Sequence, residues 1–103
     1  MRTRTNKHST STSSIVTANG TVVAAGTPNV RIVVKNLKAG ESLYVKKGAG
    51  AAATSGNFTD ILPPGNAVDD GFGGSIPFEN YTGAVSIFAA STAPRALVVI
   101  DTE

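Results

Sequence analysis

Residues 30–46 read VRIVVKNLKAGESLYVK. Val30, Ile32 and Val34 alternate with Arg31, Val33 and Lys35, and beyond Lys38-Ala39-Gly40-Glu41 the residues Leu43 and Val45 alternate with Tyr44 and Lys46. A side-chain period of two with β-branched residues is that of a strand, and a short polar gap containing Gly is where a hairpin turns. The stretch is therefore expected to be a hairpin with one apolar face and one face carrying Arg31, Lys35 and Lys46. An apolar sheet face must be covered by another sheet. The fold class that follows is all-β: a small antiparallel β-sandwich, jelly-roll or immunoglobulin-like, with a flexible basic N-terminal arm.

Composition supports this reading. A chain of 103 residues with no Cys must build its core without staples, and with four Phe, two Tyr and no Trp that core must come from Val, Ile, Leu and Ala. Eleven Gly and five Pro imply many turns. No run places apolar residues at i, i+3, i+4 and i+7 without Gly, Pro or β-branched clusters, so no helix longer than a turn or two is expected.

The net charge of +2 is uneven along the chain. Residues 1–14, MRTRTNKHSTSTSS, hold Arg2, Arg4 and Lys7 and no acid, whereas the remainder holds six basic and seven acidic residues. This opening lacks the apolar stretch of a secretory signal, and no stretch approaches a membrane span, so a protein made in a cytoplasm or assembled there, with no membrane partner, is expected. A Ser/Thr-rich basic segment without apolar residues cannot recover the entropy lost on ordering. Residues 1–14 thus read as an arm, disordered in the free monomer, and residues 15–103 as the sandwich domain. The arm is either a solvated tail or a segment that orders on a partner. Three charges without interleaved aromatics give only weak, salt-sensitive phosphate contact, which argues against nucleic acid as the partner.

Along the rest of the chain, Asn19-Gly20 between Ile15-Val16-Thr17 and Thr21-Val22-Val23 predicts a first hairpin, because both positions of a type I′ turn need positive φ. Further strands are predicted at residues 58–62, 75–78, 84–90 and 96–100. Val85 and Ile87 are placed on one face of their strand, with Ser86 and Phe88 on the other. Ala96-Leu97-Val98-Val99-Ile100 is apolar without alternation, so it is buried on both faces or lies at a subunit contact; Leu97, Val98, Val99 and Ile100 are the candidates for that contact.

The chemistry of sites is sparse. Gly48-Ala49-Gly50-Ala51 lacks the Lys-Ser/Thr pair that closes a phosphate-cradling loop. Asp69-Asp70-Gly71 lacks the staggered oxygen ligands of a calcium loop and reads better as an Asx turn. His8, the single histidine, sits in the arm, so no triad, His-ligated zinc or His general base is expected. The expectation is a non-enzymatic protein with no catalytic residue, metal or cofactor. Two classes stay open: a structural protein docking on a larger assembly, and a binding module such as a vertex, fibre or tail domain recognising a host-surface ligand. The disordered leader favours the first, because such a segment covers a large surface on assembly.

Asn36-Leu37, Leu43-Tyr44-Val45-Lys46, Gly48-Ala49-Gly50-Ala51, Asp69-Asp70-Gly71 with Gly73-Gly74, and Tyr81-Thr82-Gly83-Ala84-Val85-Ser86 together resemble small structural proteins encoded in bacteriophage virion gene clusters. The resemblance spans residues from about 30 to about 100. It implies a virion component, most often a head decoration or cement protein, whose partners are the major capsid protein and copies of itself, with a trimer as one arrangement. Composition alone adds Arg2, Arg4 and Lys7 as a capsid-binding arm. Arg31, Lys35, Lys46 and Lys47 read first as a solvated face, and second as contacts to an acidic capsid surface.

Overall fold

A computed structural model describes residues 10–26, 30–48, 53–66 and 73–102. Among them are eight strands and no helix: β1 (Thr10–Val16), β2 (Gly20–Val23), β3 (Arg31–Asn36), β4 (Leu43–Lys47), β5 (Asp60–Leu62), β6 (Ser75–Glu79), β7 (Val85–Phe88) and β8 (Ala96–Thr102). They form two four-stranded sheets, of order β1-β8-β3-β6 and β2-β7-β4-β5. Every ladder is antiparallel. Of the links between consecutive strands, only β4 to β5 stays within one sheet. That is the strand order of a jelly roll, a double-sheet sandwich of eight strands.

The jelly roll overturns both predicted hairpins. β3 and β4 do not pair: β3 pairs with β6 and β8, and β4 with β5 and β7. The two halves of residues 30–46 cover each other instead of needing a common cover. Ile32 and Val34 point inward from one sheet, Leu43 and Val45 from the other, and all four are buried in a single core cluster with Val23, Leu62, Phe78, Val85, Ile87 and Val98. As a result Arg31 and Lys35 lie on the outer face of one sheet and Lys46 on the outer face of the other, not on one shared face. The Asn19-Gly20 site is likewise a crossing between sheets, since β1 pairs with β8 and β2 with β7. Asn19 uses its amide elsewhere: Nδ2 donates to the Ala89 carbonyl at 3.0 Å and Oδ1 accepts from the Ala89 N–H at 2.8 Å, which caps the end of β7.

Asn36 holds the corner between β3 and β5. It is buried, and its Nδ2 donates to the carbonyls of Glu41 at 2.8 Å, Leu62 at 3.2 Å and Pro63 at 3.3 Å, while Oδ1 accepts from the Lys38 N–H at 3.0 Å. A buried amide satisfied on both sides ties the two sheets where the chain crosses between them. Gly73 packs so closely on this corner that a Cβ there would fall 1.8 Å from the Asn36 carbonyl oxygen.

Part of the segment expected to be an arm is strand. Thr10–Ser14 pair along β8 as the first part of β1, so the sandwich begins at Thr10 and not at residue 15. Residues 10–15 are exposed and only Val16 packs against the core, so what orders Thr10–Ser14 is the backbone ladder, which is independent of hydropathy.

Candidate functional site

The predicted site residues separate into three groups. Arg2, Arg4 and Lys7 lie outside the described residues, as do Ala49-Gly50-Ala51 and Asp69-Asp70-Gly71. Val98 is 1% exposed in the core, so it offers nothing to a subunit contact, and Ile100 packs against that core from the same side. Leu97 and Val99 point the opposite way, half-buried on the outer face of the β1-β8-β3-β6 sheet. The run without alternation therefore does alternate in space: β8 is a central strand with a covered inner face and an outer face that keeps aliphatic residues. Of the four residues expected at a subunit contact, only Leu97 and Val99 are on the outer face.

The cations are also dispersed. Arg31 Nε lies 3.2 Å from Glu79 Oε2 in the adjacent strand β6, both side chains being largely exposed. Lys47 Nζ sits over the rings of Phe78 at 5.8 Å and Tyr81 at 5.5 Å and closes one end of the core. This arrangement presents no common basic face.

Two surface features emerge that sequence reading did not single out. The first is an aromatic and aliphatic patch on the outer face of the β2-β7-β4-β5 sheet. Register places Ile61, Tyr44 and Phe88 in one row across β5, β4 and β7. Phe58, just before β5, adds its ring 5.1 Å from that of Tyr44, and Phe88 lies 6.1 Å from Tyr44 on the other side. Phe58 is 40% and Ile61 41% exposed, two of the three large exposed hydrophobic residues among those described. Farther along the same face the sheet is covered by its own chain, where the Ala53 N–H donates to Ser86 Oγ at 2.8 Å and both residues are buried. The Tyr44, Phe58 and Phe88 rings are tilted by 55° and form no flat stacking platform.

The second feature is the edge formed by β1. The Leu37 N–H donates to the Arg95 carbonyl in register with the β3–β8 ladder, and the Asn36 N–H to the Gly74 carbonyl in register with β3–β6. Odd-numbered residues of β3 thus bond β8 and even-numbered ones bond β6. Alternation carries this phase across β8 to β1: Thr10, Thr12, Ser14 and Val16 bond β8, and Ser11, Ser13 and Ile15 turn their N–H and C=O groups outward. No described strand lies beyond β1. The third large exposed hydrophobic residue, Ile15 at 51%, is on this strand.

One surface corner brings a carboxylate, a hydroxyl and an ammonium group together. Glu41 Oε1 accepts from Ser91 Oγ at 2.7 Å, Oε2 accepts from the Ser91 N–H at 2.8 Å, and Lys38 Nζ stands 3.4 Å from Oε1. The Ser91 hydroxyl, chiefly, holds the Glu41 carboxyl below its ordinary range, with the Ser91 amide and Lys38 adding to it against a desolvation that opposes them. Nearby, an open depression of about 220 Å³ lies between Thr17, Lys38, Ala93, Pro94 and Arg95. Lys38 is already engaged there, donating to the Ala93 carbonyl at 2.6 Å. These contacts hold the loop around Ser91 against Glu41 and Lys38. Among the described residues no cluster of His, Asp and Glu could hold a metal ion, and no helix is long and apolar enough to cross a membrane. Comparison of the chain with protein-family models, with curated proteins and with solved structures finds no match.

Proposed function

We propose that this chain is a non-enzymatic virion structural protein, a decoration or cement protein that attaches to a phage head and stabilises its shell. The phage context comes from the resemblance carried by residues from about 30 to about 100. The observation that carries the surface-covering role is the patch of Tyr44, Phe58, Ile61 and Phe88, which leaves Phe58 and Ile61 open to solvent on a sheet face. Contiguous exposed apolar residues on a folded domain mark a contact surface. Tilted rings suit an irregular protein surface better than the flat face of a sugar, which ranks shell attachment above recognition of a host glycan. The major capsid protein is the partner, with residues 1–9, which include Arg2, Arg4 and Lys7, threading across neighbouring subunits. Jelly rolls serve in capsid and lectin domains alike, so the fold by itself does not choose between these roles.

The test is the copy number of the chain on purified virions, counted by cryo-electron microscopy. A cement role predicts on the order of hundreds of copies in icosahedral array, whereas about a dozen sites would indicate vertices and a few the tail. Replacing Phe58 and Ile61 together by Ser should lower shell occupancy about tenfold or more. Unchanged occupancy would remove the patch from the account.

A further inference from the structure

We infer that β1 is a self-association edge, on which a second copy of this chain adds its own β1 antiparallel across a two-fold axis, joining two sandwiches through one continuous eight-stranded sheet. The inference rests on β1 alone and stands independently of the phage reading.

Four observations lead to it. First, β1 is seven residues long and carries no charge and no Pro, so it lacks the usual devices that keep an edge strand from pairing. The other edges have them or are short: β2 has four residues and a register shift, β5 has three, and β6 has Pro77 and Glu79.

Second, Pro77 and Ser13 are opposite ends of one row. Register runs Ser13, Val99, Val33, Pro77 across the sheet. By the alternation described above, both residues have the phase whose N–H position faces outward. Pro77 removes that donor from one edge, while Ser13 leaves it on the other.

Third, β1 is self-complementary. Two odd-numbered residues can form a narrow pair across a two-fold, because both direct their hydrogen-bonding groups outward. Centring on Ser13 places Ser13 against its copy, Ser11 against Ile15, Thr12 against Ser14 and Thr10 against Val16. The whole strand overlaps with about six backbone hydrogen bonds, and the Ser/Thr pairs are favourable cross-strand neighbours. An isologous contact sets each central residue against itself, which an uncharged strand tolerates.

Fourth, the arrangement keeps the basic leaders apart. The two Thr10 residues sit at opposite ends of the paired strands, roughly 20 Å apart at about 3.3 Å per residue, beyond the screening length of about 10 Å. Because each sandwich offers one such edge, the association closes at a dimer.

Sedimentation equilibrium on the full chain tests this. The wild-type protein should show a concentration-dependent monomer–dimer equilibrium. Ser13→Pro should be monomeric with unchanged far-UV circular dichroism, because it removes only an outward donor. Should Pro disturb folding, Ser13→Lys and Ser13→Glu keep the backbone intact. Each alone should weaken dimerisation about tenfold or more, and an equimolar mixture of the two should restore it. A wild-type chain that stays monomeric at high concentration overturns the inference, and so does a folded Ser13→Pro variant that still dimerises. A trimer would likewise overturn it and would move the contact to Leu97 and Val99. Failure of this test leaves the copy number on virions unaffected, so the two proposals fail separately.

Discussion

β1 and β6 are the two edges of the same sheet, and they are built in opposite ways. β6 is five residues long, buries Phe78 in the core, carries Pro77 at the outward-facing phase and sets Glu79 beside Arg31. β1 is longer by two residues, half-buries only Val16 at its C-terminal end, and has neither charge nor Pro. One edge is anchored by side chains and closed by its backbone. The other is held mainly by its backbone ladder, with Val16 alone packing on the core, and no described strand covers its outer side. In a sandwich whose stability comes from the facing cores of β3 and β8 with β4 and β7, an edge like β1 contributes little to folding and can therefore be devoted to a partner.

The largest expected effect separates the core from the open edge. Ile32 is fully buried in the core between the two sheets, so Ile32→Ala should cost about 2–5 kcal/mol in urea unfolding, whereas Ile15→Ala on exposed β1 should stay within about 1 kcal/mol. Similar losses at the two positions would break the contrast. Next in size is the close approach that anchors the closed edge. Gly73→Ala puts a Cβ against the Asn36 carbonyl at the entry to β6 and should cost about 1–3 kcal/mol, read as a lowered urea midpoint. Comparable in size is a contrast between neighbours within β1. Thr12→Pro deletes a hydrogen bond to β8 and should destabilise by about 1–3 kcal/mol, while Ser13→Pro should change stability by about 0.5 kcal/mol or less.

The smallest effect is that of pH. Folding stability should respond in acid through Glu41. Its carboxyl titrates lower folded than unfolded, so its contribution is complete above the ordinary value of 4.5 and is lost as pH falls through the depressed folded value. Thermal melts of Glu41→Gln should show a shallower loss in that acid range than the wild type, and identical slopes would contradict the role of Ser91.

Particular residues show which parts of this structure were legible in the chain. Faces were readable because the period of two is local: Ile32, Val34, Val85 and Ile87 point inward as alternation requires. Ladder partners were not, because pairing depends on where the chain crosses. Asn19-Gly20 and Gly40 look like hairpin turns, yet in a jelly roll nearly every link passes to the other sheet, and Asn19 serves to cap β7. The start of β1 was hidden for another reason. Thr10–Ser14 has the composition of a disordered tail, and only the backbone of β8 gives it order. The aromatic patch depends in turn on those partners, since Tyr44 meets Phe58 and Phe88 only after β4 has joined β5 and β7. Its one sequence signal was an aromatic residue at an outward position between Leu43 and Val45.

Amide hydrogen exchange across Thr10–Val16, followed residue by residue by NMR on dilute and on concentrated protein, tests the open edge most directly. In the dilute sample the amides of Thr12, Ser14 and Val16 should be protected by β8, and those of Ser11, Ser13 and Ile15 should exchange fast; at high concentration the second set alone should gain protection. Protection of Ser11, Ser13 and Ile15 that is already present in the dilute monomer, or that never changes with concentration, would contradict the account.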